Sequence, residues 1–186
     1  MMIIKPLDEK SLKQAIDLKV RAWQEELNGI FEHHLDQAEE EAFYQAWRLE
    51  GAKHQDQRLL YGVFKDERLL GAVFASFAES DDHPDAVEIN GLWVEKDARH
   101  QGISLHLLHS VLTQYTQEAV ILYCHTHAPS YPYYHHLGGK VMKTLTQLEG
   151  RLHVSVFKFD RKELVLHIAS RLKNDSTMEV SHEPSL

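Results

Sequence analysis

The stretch AVEINGLWVEKDARHQGISLHLLHSVL, residues 86–112, decides how the rest of the chain is read. Its first part alternates like a β-strand over 86–95 but carries Asn90 and Gly91 in the middle. A glycine inside a strand marks a bulge or a close backbone approach. From Ile103 the apolar residues recur at helical spacing, which predicts a helix over about 103–117. Between strand and helix stand a polar cluster and the single Gly102, with Arg99 three residues upstream and Ser104 two residues downstream. A chain that turns this tightly into a helix makes either an ordinary helix start or a seat for an anion. The first turn of a helix has about four unpaired N–H groups and roughly half a positive charge, and glycine leaves their approach bare. Ser104 is small, and its hydroxyl adds a donor.

Upstream, MIIKP at 2–6 reads as a short edge strand closed by Pro6. A helix is predicted over about 9–27, capped by Asp8 or Ser11 and ended by Asn28 and Gly29, and a second over about 34–50, stopped by Gly51. Two β-rich runs at 59–65 and 68–78 flank KDER as a hairpin, and ESDDHPD follows as a loop. Downstream, EAVILYCHT is a near-continuous apolar run of the kind buried on both faces of a sheet. A short helix at about 130–137 ends in Gly138 and Gly139. Two alternating strands surround a Glu149 and Gly150 turn, and an amphipathic helix closes the fold at about 161–172. The mixture of antiparallel hairpins with a β-α-β step gives an α/β or α+β class with a mixed sheet. One domain is expected over residues 1–173, with 174–186 a flexible polar tail.

With 43% hydrophobic and 26% charged residues among 186, the composition is that of a globular domain. The net charge of −8 argues against a nucleic-acid partner and weakly favours a cationic one. No apolar run approaches the roughly 20 residues of a membrane helix, the start MMIIKPLDEKS lacks a signal peptide's apolar block, and a cytoplasmic protein is the expectation. A single cysteine, Cys124, excludes an internal disulfide and reads as a small buried hydrophobe. His125 and His127 alternate at a strand end without a carboxylate motif, so no metal is expected.

A bulged strand, the turn RHQGIS into a helix, and YPYYHHLGG after the next strand together resemble the GNAT superfamily of N-acetyltransferases. The resemblance runs over about residues 2–159. Arg99, Gly102 and Ser104 match the family's Q/R-x-x-G-x-G/A pattern, with serine in place of the last small residue. It implies the acyl-CoA acyltransferase fold: a mostly antiparallel sheet with a splayed strand pair, flanked by helices. It implies acetyl-CoA as cosubstrate, with Leu92, Trp93 and Val94 gripping the pantetheine arm by their backbone. His100, Gln101, Gly102, Ile103, Ser104 and Leu105 would surround the pyrophosphate together with Arg99. His127 stands where many members carry a cofactor-contacting asparagine, and imidazole can also donate.

The same resemblance gives Tyr134 the role of the acid that protonates the departing thiolate, with Tyr133 as its competitor. The family's phenylalanine after L-G is Gly139 here. An alkylamine of pKa near 10.4 is less than about 0.1% neutral at pH 7, a handicap of about 4–5 kcal/mol unless a base takes its proton. Glu88, on the strand leading into the motif, resembles the catalytic glutamate of histone-type members; other members use a water chain. The implied activity is acetyl transfer to a primary amine of a small molecule or peptide. The rival is a non-catalytic acyl-CoA-binding or sensor module of the same fold. Glu25, Glu26, Glu32 and Asp36 and the loop ESDDH are available to a cationic acceptor or are simply a solvated face, and the C-terminal helix offers a homodimer contact.

Overall fold

The structure, a computed structural model, describes residues 1–181 apart from 31, 33, 80, 81 and 84. Strands β1 (Met2–Pro6), β2 (Leu59–Lys65), β3 (Arg68–Phe77), β4 (Ala86–Val94), β5 (Ala119–His125), β6 (Lys140–Gln147), β7 (Leu152–Asp160) and β8 (Met178–Val180) join in one sheet, in the order β6-β7-β5-β4-β3-β2-β1-β8. The pairs β4–β5 and β1–β8 are parallel and the others antiparallel, so the mixed sheet expected from the sequence is present. Helices α1 (Glu9–Leu27), α2 (Gln37–Lys53), α3 (Ile103–Leu112), α4 (Tyr131–His136) and α5 (Arg161–Leu172) flank it.

α1 and α2 cover one face, where Leu12, Ile16, Val20 and Tyr44 pack on Leu60, Phe64 and Phe74. On the other face Ile103, Leu107, Val111, Tyr134 and Ile168 of α3, α4 and α5 pack on Val63, Val73, Val87 and Leu122. Burying each large aliphatic side chain contributes about 1.5–3 kcal/mol.

The bulge read from Asn90 and Gly91 is present. Phe74 pairs with Gly91 and the next residue, Ala75, with Ile89, so Asn90 is the extra residue of β4. One extra residue reverses the side-chain alternation. Val87 and Ile89 face α3, and after the bulge Leu92 and Val94 do so as well. Trp93 goes to the opposite face, edge-on to Phe74 with ring centroids 5.1 Å apart.

Four local expectations are corrected. α2 begins after its cap Asp36 and runs through Gly51 instead of stopping there. The missing side chain makes room for Arg58, whose Cδ lies 2.6 Å from where a Cβ would stand and whose Nη1 donates to the Trp47 carbonyl at 2.6 Å. α3 ends at Leu112 rather than near 117. Arg161 donates to the carbonyls of Leu112 (3.3 Å) and Gln117 (2.6 Å), and Tyr115 turns inward to the Gln57 carbonyl at 2.9 Å. These tertiary bonds compete with a further helical turn. Residues 178–180 of the expected flexible tail form β8, anchored by Met2 N–H to Thr177 O at 3.1 Å and Ser181 N–H to Ile4 O at 2.8 Å. The remainder of that tail, 182–186, lies outside the described residues, as do Ser80, Asp81 and Pro84 of the loop before β4. β1 is therefore an inner strand and not an edge. Pro6 is tolerated because its nitrogen faces away from β2, beyond the last β8 pair at Ile4 and Val180.

A Cβ at Gly91 would stand 2.0 Å from the Trp93 indole. Gly91→Ala is expected to push that ring out of its aromatic packing and to cost about 1–3 kcal/mol in urea unfolding. Wild-type stability would show that the close approach is not a constraint.

Candidate functional site

The last parallel pair between β4 and β5 is Ile89 with Leu122, one residue before the bulge. Beyond it β4 continues to Val94 and β5 to His125, and the two strands part. The orientation of the β4 backbone in this gap follows from its ladder with β3. Glu95 N–H donates to the Leu70 carbonyl at 2.8 Å, so by antiparallel alternation the peptide groups of Trp93 and Gly91 also face β3. Those of Leu92 and Val94 turn toward the gap. Of the three residues expected to offer backbone to a pantetheine arm, Leu92 and Val94 turn their peptide groups to the gap, and Trp93 turns its own to β3.

β4 runs through a single 3₁₀ turn, Lys96–Ala98, into the residues 99–105 that the sequence marks as an anion cradle. His100 (φ 63°) and Gly102 (φ 76°) both adopt the left-handed region, which turns the chain sharply into α3. The first intrahelical bond is His106 N–H to Gly102 O at 3.0 Å, so the N–H groups of Ile103, Ser104 and Leu105 have no acceptor within the helix. α3 has no side-chain cap. Ile103 and Leu105 bury their side chains in the core, so toward an anion they offer only backbone. Gln101 and His100 are exposed beside them. Ser104 Oγ lies 3.0 Å from the Tyr133 hydroxyl, a bond that joins α3 to α4. Arg99 is engaged elsewhere. Its Nη1 and Nη2 each lie 3.2 Å from a Glu25 carboxylate oxygen, and Nε donates to the Val94 carbonyl at 3.2 Å. It braces the end of α1 against the end of β4.

Glu88 lies on the α1 face of the sheet, opposite Ser76 in the ladder. Asn90 Nδ2 donates to Ser76 Oγ at 2.9 Å beside it. Burial, then the nearby Glu79 carboxylate, raise the Glu88 carboxyl above its ordinary range. Tyr123, on β5, is also raised, first by burial and then by the Glu88 charge. The sequence gives no sign of this Glu88, Ser76, Asn90 and Tyr123 grouping, which depends on strand register. Several of the acidic residues available to a cationic acceptor have structural partners. Glu25 holds Arg99, Glu26 lies 2.7 Å from His125 Nε2, Asp36 caps α2, and Asp82 lies 2.8 Å from Lys143 Nζ. Glu32 lines a hollow with Gln24, Leu27 and Ile30 at the end of α1.

On the α3 face, Tyr134 is buried at 5% exposure. Burial drives its phenol well above the ordinary value, opposed by a hydrogen bond with Ser130. Tyr133 is thus distinguished from Tyr134 by its bond to Ser104. The Cys124 thiol, also buried here, is pushed up to about 11 by desolvation and is a poor nucleophile. His127 is exposed in the turn after β5. Among the described residues no three His, Cys, Asp or Glu side chains converge as metal ligands would.

The sequence profile of the Acetyltransferase (GNAT) family matches residues 20–138, well over half of the chain. This chain belongs to the GNAT acetyltransferase family. Comparison with curated proteins finds no match. Among solved structures this GNAT chain is similar in fold to yncA from Salmonella typhimurium, which holds its cofactor acetyl-CoA. That likeness has a TM-score of 0.63 at 17% identity and covers 86% of this chain and 94% of that one. A ribosomal-protein-alanine N-acetyltransferase from Brucella melitensis aligns at TM-score 0.64 and 16% identity, over 84% and 98% of the two chains. The PaiA N-acetyltransferase of Thermoplasma acidophilum, solved with coenzyme A, aligns at TM-score 0.60 and 16% identity, over 86% and 99%.

Because Gly102 is left-handed, Gly102→Ala carries a cost of about 1–2 kcal/mol for that conformation. The expected result is a Tm lowered by about 2–8 °C. An unchanged Tm would mean that the turn does not need this backbone.

Proposed function

We propose that this GNAT domain transfers an acetyl group from acetyl-CoA to a primary amine by direct attack. The observation that carries the reading is one coincidence in β4. The bulge at Asn90, the parting from β5 and the uncapped start of α3 follow one another within 86–105. A thioester in the gap would have the Leu92 and Val94 peptides alongside it, and a pyrophosphate would meet the bare N–H groups of Ile103, Ser104 and Leu105. Acetyl-CoA in the Salmonella yncA structure and coenzyme A in the Thermoplasma PaiA structure support this donor.

The two faces of the sheet divide the chemistry. The amine approaches on the α1 face, where Glu88, half-buried and with its charged form disfavoured, takes its proton directly or through water. Nitrogen attacks the thioester carbonyl while the Val94 N–H stabilises the developing oxyanion. Tyr134 on the α3 face, a phenol protonated throughout the neutral range and held so more firmly by burial, donates toward the sulfur as the carbon–sulfur bond breaks. His127, exposed in the turn after β5, contacts the donor. The acceptor class that fits is an amine on a small molecule or peptide, its positive charge drawn to Glu88 and Glu79. A cytoplasmic location agrees with a lone buried cysteine. No described helix is long and apolar enough to cross a membrane.

The reading is tested first by thermal shift with coenzyme A and thiol release across a panel of amines; a ligand at about 100 times its Kd stabilises by about 2.7 kcal/mol, and no shift at millimolar cofactor would overturn it. Tyr134→Phe is expected to lower kcat by about 10- to 100-fold with little change in acetyl-CoA affinity, and unchanged turnover would remove the acid role.

Glu88 makes a paired prediction. Its raised pKa means that the folded state binds this proton more tightly than the unfolded state, so stability is lost as pH rises from the unfolded value through the folded one. Glu88→Gln should therefore raise Tm at pH 7. It should also remove the limb of kcat/KM that climbs as Glu88 deprotonates above the ordinary glutamate range. A variant with the wild-type pH profile would rule out Glu88 as the base.

A further inference from the structure

α5 and β8 lie beyond the last residue, 138, of the family match, and the segment between them brings a carboxylate to the start of α3. Asp175 Oδ2 lies 3.6 Å from where a Cβ of Gly102 would stand, with Leu172 Cδ2 3.8 Å from that same point. The same oxygen lies 2.8 Å from His106 Nε2, one turn along α3 from Gly102. Its other oxygen accepts from the Thr177 N–H at 2.9 Å and the Thr177 hydroxyl at 2.5 Å. The Asp175 N–H donates to the Leu172 carbonyl at 2.9 Å, and β8 ties the segment to β1. These partners hold Asp175 in its charged form, well below the usual carboxylate range. An anion thus stands beside the turn at which the proposed donor's phosphates would arrive. Two negative groups a few ångströms apart repel, and a protein whose binding-competent state is partly populated shows a proportionally weaker apparent affinity.

We propose that the segment following α5 is an intramolecular strap whose Asp175 carboxylate, latched by His106 and Thr177, competes with the pyrophosphate of acyl-CoA for the start of α3. Cofactor binding displaces the strap, and β8 releases from β1 as it moves. The inference rests on the reading of the cradle as the acyl-CoA phosphate site.

Calorimetric titration of coenzyme A into the full chain tests it. Asp175→Asn keeps the size of the side chain and removes its charge, and the expected Kd is about 5- to 30-fold tighter than wild type. Thr177→Ala, which leaves the carboxylate but loosens its latch, should fall between the two and serves if the first variant does not fold. Hydrogen exchange gives a second readout: coenzyme A added to wild type should quicken exchange at Met2 and Ser181, whose N–H groups hold β8 and β1 together. Equal or weaker binding by Asp175→Asn, or slower exchange on adding cofactor, would overturn the strap while leaving the donor site standing. Failure of coenzyme A to bind any of these proteins would overturn the donor site and the strap with it.

Discussion

The extra residue in β4 is the constraint on which the molecule's working parts depend. Pairing Phe74 with Gly91 and Ala75 with Ile89 leaves Asn90 without an opposite number and reverses which residues face which layer. Val87 and Ile89 before the bulge and Leu92 and Val94 after it all face α3, while Trp93 joins the aromatic cluster under α1 and α2. Pairing with β5 ends at the same level, so the peptides of Leu92 and Val94 look into a gap instead of a ladder. A regular strand would have continued beside β5 and closed it.

Charge around that gap is mostly spoken for by partners within the protein. The formal net charge is −8, and Arg99, the cation the motif offers, is taken by Glu25 and the Val94 carbonyl. The first N–H groups of α3 are left uncapped, in contrast to α1, α2 and α5, whose starts are closed by Asp8, Asp36 and Asp160. On the other face of the sheet, Glu88 is half-buried with Glu79 as its charged neighbour, and burial and that charge both raise its carboxyl above the ordinary range.

Much of the architecture is legible in the chain because its signals are local. The hairpin about KDER, the alternation of β7 and the cap at Asp8 or Ser11 each lie within a few residues; the structure has the first two and makes Asp8 the cap, with Ser11 bonding back to it. Gly51 misleads because a glycine ends a helix and also makes room for a neighbour, and only the position of Arg58 distinguishes the two. Met178–Val180 is too short to carry a period, and pairs because β1 presents an open side. Of the candidate site, the tight turn at Gly102 is legible, since a left-handed residue before an apolar helical run is a local demand.

What the sequence by itself determined is the order of the elements from β1 to α5, the bulge at Asn90 and Gly91, and the bare glycine before α3, each a matter of backbone preference over a few residues. Only the tertiary structure decided which β4 peptides face the gap, that Arg99 turns to Glu25 and that Asp175 sits beside Gly102. The Arg99 pairing joins residues 74 positions apart, and the place of Asp175 is held by the bond of His106 to Asp175, 69 positions apart. No local preference carries across such a distance: the partners meet only because burying both faces of one sheet brings the ends of α1, α3 and α5 to the same edge of the gap.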